Sequence, residues 1–297
     1  MELIILTKLK AYFQLSKPEI TLMVFISTWF GFYAGIVKKG IELSSYNNLL
    51  IYSLIFGAIC SSAGVAALNE YWESDLDKLM DRTKNRPIPA GVITRKSGLI
   101  FGVLMSLIGI GLFWFFVHKG AAILSAITLI LYVFVYTPMK RKTPLNTLMG
   151  AIPGALPPLG GWLAATGELS KEAWIIGGIL YAWQIPHFLS IAWIYRKDYK
   201  KGGFKMYTGE EKLFIFRLHI FIFTFLMIYY SILPTMVGIA GTFYLIGTIV
   251  IGMIFFFASM GLILDQNGKT AKILLKTTIY YLPLLLILFI VDNSLIN

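Results

Sequence analysis

Long apolar segments alternate with short polar ones along the whole chain. A helix rises about 1.5 Å per residue, so an apolar segment of roughly 20 residues crosses the hydrocarbon core of a bilayer. Nine segments have this length, and we expect an all-α polytopic membrane protein with nine transmembrane helices in a single bundle around a central cavity. The segments are residues 20–37, 49–72, 97–117, 120–138, 145–165, 173–194, 213–233, 242–263 and 273–291.

The composition agrees with this prediction and narrows the class of protein. Of the 297 residues, 57% are hydrophobic and 14% are charged, and the mean hydropathy is +0.74. These values are too apolar for a soluble domain. No long polar segment divides residues 1–297, so we expect one integral-membrane domain. The single cysteine, Cys60, excludes a disulfide framework or a thiolate metal cluster.

The basic residues predict how the chain is oriented. Of 26 Lys and Arg residues, 22 lie in the amino-terminal tail, in the loops after even-numbered spans, or within the first turns of the spans that follow those loops. Cytoplasmic segments are enriched in these residues, so we expect a cytoplasmic amino terminus, an external carboxyl terminus and a cavity that opens to the cytoplasm. Topology thus explains most of the net charge of +11, and we expect no nucleic-acid partner. The absence of a signal or transit pattern favours a bacterial plasma membrane.

Oxygen-bearing side chains recur every four residues at the end of the second span. Asn69, Glu73 and Asp77, with Asp81 after them, would form one stripe on a helix, because each step of four residues drifts only about 40°. Such groups near lipid are costly unless a cation binds there. Mg²⁺ is the natural candidate, since it takes carboxylate and amide oxygens and shares its other positions with water and phosphates.

A basic segment that contains two prolines follows this stripe. Arg82, Lys84 and Arg86 are suited to the phosphate oxygens of the same ligand. The sequence therefore predicts a diphosphate site at a membrane surface. The alternative is a solvated helix end with local ion pairs, but that arrangement does not require the amide of Asn69 inside an apolar segment.

Three motifs in order resemble the UbiA superfamily of intramembrane prenyltransferases. The first is an Asn, acidic residues four and eight positions on, and an Arg-Thr-x-x-Arg-Pro run, matched by Asn69, Glu73, Asp77, Arg82, Thr83, Arg86 and Pro87. The second is Tyr-x-x-x-Lys-Arg-x-Thr-x-x-Asn, matched by Tyr136, Lys140, Arg141, Thr143 and Asn146. The third is WQIPHFLSIAWIYRKDYKKGGFKM, residues 183–206. The resemblance extends over residues 14–290.

The third motif narrows the resemblance to one group within the superfamily. Other members carry a second aspartate-rich motif there, whereas this chain has His187 and a single Asp198. Trp-Gln-x-Pro-His-Phe with a later Asp-Tyr-x-x-Gly-Gly, and GALPPLGGW at residues 154–162, resemble the protoheme IX farnesyltransferases, or haem O synthases. The missing aspartates leave both one and two bound Mg²⁺ ions open.

The resemblance implies that farnesyl diphosphate and haem B give haem O and diphosphate, on the route to haem A. A downstream haem A synthase is then an expected partner, and the lipid bilayer is the medium. The residues implied as catalytic are Asn69, Glu73, Asp77, Lys140, Arg141, His187 and Asp198. The implied Mg²⁺ ligands are Asn69, Glu73 and Asp77, with Asp198 as a further candidate. The implied diphosphate contacts are Arg82, Arg86, Lys140 and Arg141.

The haem is assigned to the sixth span and the loop after it. His187 could ligate the iron, contact a propionate or the diphosphate, or carry a proton. The further candidates for haem contact are Arg196, Lys197 and Tyr199. Bundle aromatics such as Trp72 or Tyr136 could stabilise an allylic cation with their ring faces, although packing is the commoner role of an aromatic residue.

Two other hypotheses are open at this point. A superfamily member with another acceptor, such as a quinone precursor or a chlorophyllide, would be expected to carry paired aspartates where His187 and Asp198 stand. A secondary transporter also has Pro- and Gly-rich spans, but its charges lie near the membrane midplane, whereas these polar residues gather at one face. Release of diphosphate from farnesyl diphosphate in the presence of haem would distinguish a transferase from a transporter.

Overall fold

The apolar segments are helical in the computed structural model, which describes residues 2–209 and 212–296 and has no strand in that part of the chain. A 3₁₀ helix, Leu43–Ser45, and a π-helical segment, Leu131–Tyr136, accompany the α-helices. The α-helices are α1 (Glu2–Leu15), α2 (Pro18–Lys39), α3 (Asn48–Asp77), α4 (Arg95–Phe116), α5 (Lys119–Ile130), α6 (Thr137–Met139), α7 (Asn146–Ala155), α8 (Pro157–Thr166), α9 (Lys171–Ile194), α10 (Arg196–Lys201), α11 (Leu213–Met236), α12 (Thr242–Leu264) and α13 (Gly268–Ile296). The all-α prediction is confirmed.

Nine membrane-spanning helices were predicted from the sequence. Within the described residues, eight helical runs are long and apolar enough to cross a membrane, among them the continuous run Lys119–Met139. The count of nine is not confirmed, because the fifth expected span, residues 145–165, is two helices of ten residues each. They meet at Leu156, and Pro157 begins the second helix. Proline suits a first helical position because its missing N–H needs no partner there.

The broken fifth segment nevertheless extends from one end of the bundle to the other. At the start of α7, Asn146 Nδ2 donates to the carbonyl oxygen of Lys205, in the loop between α10 and α11, at 2.8 Å. At the end of α8, the carbonyl oxygen of Ala165 accepts from Tyr46 Oη, in the loop between α2 and α3, at 2.8 Å. We call the end that carries Lys205 the charged end, and its loops are residues 78–94, 140–145 and 195–209.

A π-helical segment lies at the charged end of the fourth span. Such segments are rare and occur frequently at functional sites. The rings of Tyr132 and Tyr136 lie 4.9 Å apart in it, and Thr137 Oγ1 donates to the carbonyl of Tyr132 at 2.9 Å. The same hydroxyl accepts from Asn69 Nδ2 at 3.1 Å. Thr137, directly after the π-helical segment, thus fixes the side chain of Asn69 from the facing helix.

Helices α2 and α8 approach each other through two glycines. A Cβ atom on Gly31 would lie 1.9 Å from the carbonyl oxygen of Pro158, and one on Gly161 would lie 1.9 Å from that of Thr28. Small residues permit such close backbone approach in membranes, where van der Waals packing largely drives helix association. The first span is therefore fixed against the second half of the broken segment.

A carboxylate from the last helix caps the helix before it. Asp292 on α13 accepts hydrogen bonds from the backbone N–H groups of Gly241 at 2.5 Å and Tyr244 at 3.0 Å. These groups belong to the first turn of α12, where backbone N–H groups lack partners within the helix. A negative charge is also favourable at a helix N-terminus. Asp292 therefore joins two helices at the end of the bundle opposite the charged end.

Candidate active site

The predicted oxygen-bearing stripe lies on the last turns of α3. Asn69, Glu73 and Asp77 each expose 5% or less of their surface. The helix ends at Asp77, so the prediction that Asp81 continues the stripe is wrong. Asp81 lies in the following turn and is exposed, because the chain leaves the helical path before the next step of four residues.

Each side chain of the stripe is contacted by a cation from a different part of the chain. The pairs are Lys17 Nζ with Asn69 Oδ1 at 2.9 Å, Lys140 Nζ with Glu73 Oε1 at 2.7 Å, and Arg86 Nη1 with Asp77 Oδ2 at 2.8 Å. The cations come from the segment before α2, the loop after α6 and the loop after α3. Buried carboxylates require such partners. We call these six residues the α3 cluster.

Lys17 was missed as a site residue by the sequence analysis, which counted it only as a basic residue of the tail. Its backbone has φ +46°, the only positive φ of a non-glycine residue within 2–209 and 212–296. Such strained conformations cluster at functional sites. Burial, and next the repulsion of Arg86, lower the pKa of Lys17 to about 7. A Lys-Pro pair directly before a span is the signal that could have indicated it.

Glu70 is a second residue that the sequence analysis missed, and it folds the loop after α3 back onto the helix. Its side chain is 1% exposed, and its Oε1 accepts from the backbone N–H of Ile88 at 3.0 Å. Thr83 Oγ1 donates to the carbonyl oxygen of Asp77 at 2.9 Å. These two bonds return the loop across the helix end, so that Arg86 reaches Asp77.

Lys140 is held from several sides. Besides its bond to Glu73, its Nζ lies 4.6 Å from the ring centroid of Tyr136, and its carbonyl oxygen accepts from the backbone N–H of Lys205 at 2.7 Å. Burial lowers the pKa of the Lys140 ammonium, but the adjacent Glu73 carboxylate, together with Tyr132 and Tyr199, outweighs burial and the pKa is raised. The neighbouring Arg141 is exposed, and its side chain forms no hydrogen bond or ion pair with the described residues.

Two loops are joined across the charged end by a pair of aspartates. Asp198 Oδ2 accepts from the backbone N–H of Arg82 at 3.0 Å, and Asp81 pairs with Lys201 at 2.7 Å and with Lys84 at 2.9 Å. The two lysines hold the pKa of Asp81 at about 2, so its charge does not change near neutral pH. We call the contacts Asp198–Arg82 and Asp81–Lys201 the loop clasp.

The loop clasp positions Arg82 beside two aromatic rings. The guanidinium carbon of Arg82 lies 5.0 Å from the ring centroid of Tyr195 and 5.5 Å from that of Tyr199, and Nη2 donates to Tyr199 Oη at 3.3 Å. Asp198 therefore connects two loops through a backbone amide in this structure. Its role as a metal ligand stays a prediction.

A cavity of about 760 Å³ lies inside the bundle, within the size range of small-molecule sites. Lys17, Arg82 and Tyr195 line it at the charged end, and its wall is mainly apolar. Tyr132 also lines it, whereas Trp72 is 49% exposed and is not part of the wall. The predicted central cavity is confirmed, but the suggestion that Trp72 faces a reacting cation in it is wrong.

His187 lines the same cavity. Its Nδ1 lies 2.7 Å from Thr278 Oγ1 on α13, and its ring stacks on that of Trp183 with centroids 5.0 Å apart. The structure does not bring the other haem candidates beside it. Arg196 donates to a backbone carbonyl of the preceding helix at 2.8 Å, and Lys197 is exposed. The hydroxyl of Tyr199 accepts from the guanidinium of Arg82.

The oxygens of the α3 stripe are the candidate ligands for a divalent cation. Asp77 Oδ1 is buried and has no hydrogen-bond partner, which is costly for a carboxylate unless a cation approaches it. No group of three His, Cys, Asp or Glu side chains that could hold a metal occurs within residues 2–209 and 212–296. This donor set fits an ion that keeps coordination positions for water and substrate phosphates, as Mg²⁺ does.

Comparison with known proteins agrees with this geometry. Residues 23–285 match the UbiA prenyltransferase family. The chain belongs to this family. The resemblance carried by the three motifs is thereby confirmed, and the secondary-transporter hypothesis loses its basis. The α3 stripe and the loop after it, which carry the first motif, lie at the charged end of this UbiA protein.

Two curated relatives of this UbiA protein are similar to it over nearly their whole length. A protoheme IX farnesyltransferase of Solibacter usitatus (strain Ellin6076) is 36% identical over 289 residues, which are 96% of this chain and 99% of the relative. A protoheme IX farnesyltransferase of Salinibacter ruber (strain DSM 13855 / M31) is 39% identical over 282 residues, which are 95% of this chain and 98% of the relative.

Two solved structures share the fold of this UbiA protein. A structure of a digeranylgeranylglyceryl phosphate synthase is 19% identical, with a TM-score of 0.75, and the match covers 96% of this chain and 98% of that one. A UbiA homologue from Archaeoglobus fulgidus, bound to GPP and Mg²⁺, is 14% identical, with a TM-score of 0.63 and coverage of 94% and 99%. At these identities the likeness concerns the fold alone.

Proposed function

We propose that this UbiA protein is a protoheme IX farnesyltransferase. It transfers the farnesyl group of farnesyl diphosphate to a vinyl group of haem B, and water adds across that group, so that haem O and diphosphate result. The observation that carries the proposal is the identity of 36% and 39%, over nearly the full length, to relatives of that name. The presence of His187 and Asp198 agrees with the proposal, because a family member with another acceptor would be expected to carry paired aspartates at these positions.

The α3 cluster supports binding of the diphosphate together with Mg²⁺. The oxygens of Asn69, Glu73 and Asp77 would hold the ion, which when bound supplies charge neutralisation at the leaving diphosphate. The fold neighbour from Archaeoglobus fulgidus, bound to GPP and Mg²⁺, supports this proposal. The cations available for the phosphate oxygens are Lys17, Arg82, Arg86 and Lys140. Arg141, exposed beside this group, stays a predicted contact.

The apolar cavity supports the chemistry at the allylic carbon. Cleavage of the C–O bond leaves a farnesyl cation that water destroys, so the reaction belongs in a cavity whose wall excludes water. Tyr132 lines that cavity and offers a ring face to the cation. Tyr136 is the weaker candidate, because the Lys140 ammonium already lies 4.6 Å from its ring centroid and repels a second positive charge.

His187 is the proposed contact of the haem iron. It lines the cavity that would receive the farnesyl chain, and a neutral imidazole is a good ligand for iron but a poor one for Mg²⁺. Arg196, Lys197 and Tyr199 are proposed to meet the propionates, since they follow α9 at the charged end. The iron would then lie apart from the diphosphate, which the α3 cluster binds, whereas the propionates would approach Arg82 through Tyr199.

The cellular setting of the reaction follows from the charge distribution. We place the charged end in the cytoplasm, because 22 of the 26 Lys and Arg residues lie in the segments assigned to that side. The protein would then be a multi-pass protein of a bacterial plasma membrane and take farnesyl diphosphate from the cytoplasm. An enzyme that oxidises the product, a haem A synthase, is the proposed downstream partner.

Pigment analysis tests the proposed function directly. Membranes of cells that express the chain should contain a new haem with one farnesyl chain and one added hydroxyl, and purified protein should release diphosphate only when haem B is present. Glu73→Ala membranes serve as the control. Diphosphate release without a farnesylated haem would show that the acceptor is a different molecule.

Separate titrations test the division of the cavity between the two substrates. His187→Ala should lose haem farnesylation but keep Mg²⁺-dependent binding of a farnesyl diphosphate analogue, because the α3 cluster is unchanged. Binding of haem and of the analogue would be measured independently in detergent. Loss of analogue affinity with intact haem binding would place His187 in the diphosphate site instead.

A further inference from the structure

One hydroxyl group determines how His187 is presented to the cavity. Thr278 on α13 is fully buried, and its Oγ1 lies 2.7 Å from His187 Nδ1. The backbone carbonyl of the same residue accepts from Trp183 Nε1 at 2.8 Å, and the Trp183 ring stacks on the imidazole. Thr278 thus fixes both the position of the imidazole and that of the ring against which it packs.

The hydrogen bonds of Thr278 determine which nitrogen of His187 carries the proton. Oγ1 also lies 2.6 Å from the carbonyl oxygen of Leu275, one turn earlier in α13. A carbonyl oxygen can only accept, so the single hydroxyl hydrogen of Thr278 points to Leu275. Oγ1 then offers His187 only its lone pairs, and the bond at 2.7 Å requires a hydrogen on Nδ1.

We infer that Thr278 is a positioning residue that holds His187 in the Nδ1–H form and leaves the lone pair of Nε2 for a ligand in the cavity. Nε2 makes no hydrogen bond within the described residues, and it is not among their buried polar atoms without a partner. A metal-binding histidine is commonly oriented through a hydrogen bond from its other nitrogen. That the ligand is haem iron rests on the proposed function, whereas the protonation pattern is a property of the chain alone.

The protonation pattern can be measured without any substrate. Nitrogen NMR of protein labelled with ¹⁵N-histidine distinguishes protonated from unprotonated ring nitrogens, and His187→Gln identifies the His187 signals among those of His118 and His219. Wild type and Thr278→Ser should show hydrogen on Nδ1 and none on Nε2. Thr278→Val should show a mixture of both forms. A proton on Nε2 in the wild type would overturn the inference, even if the valine variant failed to fold.

Haem binding tests the consequence for the ligand. Titrated with ferric haem, Thr278→Val should bind about tenfold more weakly, as expected for loss of a hydrogen bond behind a metal ligand, and its absorption spectrum should approach that of His187→Gln. Thr278→Ser should resemble wild type. Thr224→Val is the matched control, because Thr224 is equally buried and its hydroxyl donates to Ser259 Oγ at 2.9 Å.

The two proposals fail separately in these experiments. If Thr278→Val has the haem affinity and absorption spectrum of wild type, and the control is also unchanged, the positioning role of Thr278 is overturned. The proposed function would survive this result, because haem O would still be made. A wild-type protein that forms no farnesylated haem would instead refute the proposed function, and the ¹⁵N measurement of His187 would still decide the protonation pattern.

Discussion

The buried carboxylates Glu73 and Asp77 dominate this protein at the scale of single residues. Each has one oxygen in an ion pair with a cation from a loop at the charged end. Removing one partner of a buried pair is far more costly than removing an exposed pair, because the remaining charge loses its only compensation. Substitutions at these two positions should therefore have effects that substitutions at surface carboxylates do not.

The first prediction concerns these carboxylates. Glu73→Gln and Asp77→Asn should each lower haem O formation at saturating Mg²⁺ by at least about tenfold, or ~1.4 kcal/mol of transition-state stabilisation, since both charges are proposed to hold the ion. Haem O would be measured by chromatography of membrane extracts. Asp75→Asn is the control, because Asp75 lies on the same helix but is exposed and pairs with Arg95 at the surface. An equal loss in the control would contradict the assignment.

The sequence predicted those site residues that a regular helical spacing brings onto one face. It did not predict the residues that reach the site only through contacts between distant parts of the chain. Asn69, Glu73 and Asp77 share a face because of the helical repeat alone. Lys17 reaches Asn69 across 52 positions of sequence, and no local rule predicts that distance. Thr278 likewise gains its role only from a partner on another helix.

Elements meet at the charged end through the loop clasp, and the second prediction tests what Asp198 does there. If its function is to accept the backbone N–H of Arg82, Asp198→Asn keeps an acceptor oxygen and should retain most activity. Asp198→Ala should have about tenfold lower activity, which corresponds to the loss of one hydrogen bond to a charged group. Activity would be titrated against Mg²⁺. An Asn variant that needs much more Mg²⁺ would show that Asp198 is a metal ligand.

The third prediction concerns the contact between α12 and α13. Asp292→Leu should lower the free energy of unfolding by about 1–3 kcal/mol, because two backbone N–H groups at the start of α12 lose their acceptor. Asp292→Asn, which keeps one acceptor oxygen, should lose less. Thermal unfolding in detergent measures both. Turnover below the unfolding transition should equal wild type, since Asp292 lies at the end opposite the site, and a catalytic defect there would contradict its structural role.

Element boundaries were predictable where a local signal exists. The tight turn between the third and fourth spans was expected near His118, and the structure confirms it, with His118 Nδ1 accepting from the N–H of Gly120 at 3.1 Å. The break at Leu156 was not predicted, because hydropathy is continuous across it, although Pro157 is a local signal that could have indicated it. The π-helical segment Leu131–Tyr136 was also missed, since it depends on hydrogen bonds rather than on composition.

At the scale of the whole molecule, the bundle, its cavity and the gathering of polar residues at one end were predictable from hydropathy and charge. Neither the glycine contact between α2 and α8 nor the route of the broken segment was predictable, because both depend on which helices are neighbours. The number of crossings is set at this scale, since α7 and α8 are each too short to span a bilayer alone and only together reach from one end of the bundle to the other.

The fourth prediction decides that number. In a Cys60→Ser background, a cysteine at Lys142 should react with an impermeant thiol reagent only from the cytoplasmic side, and one at Glu168 only from outside. Both positions are exposed, and they flank the broken segment. A reporter fused to the carboxyl terminus should lie outside. Labelling of both cysteines from the same side would mean that α7 and α8 re-enter rather than cross, and that the fold has eight crossings.

The ion pairs of the α3 cluster also have a consequence for how the chain enters the bilayer during synthesis. A helix with unpaired carboxylates is expensive to transfer into lipid. Glu73 and Asp77 lie at the last turns of α3, while the Arg86 and Lys140 that neutralise them follow later in the chain. The newly made second span should therefore remain at the interface until the loops after it have emerged. Once they have, the chain provides its own counterions, so assembly of the bundle can finish before any substrate is bound.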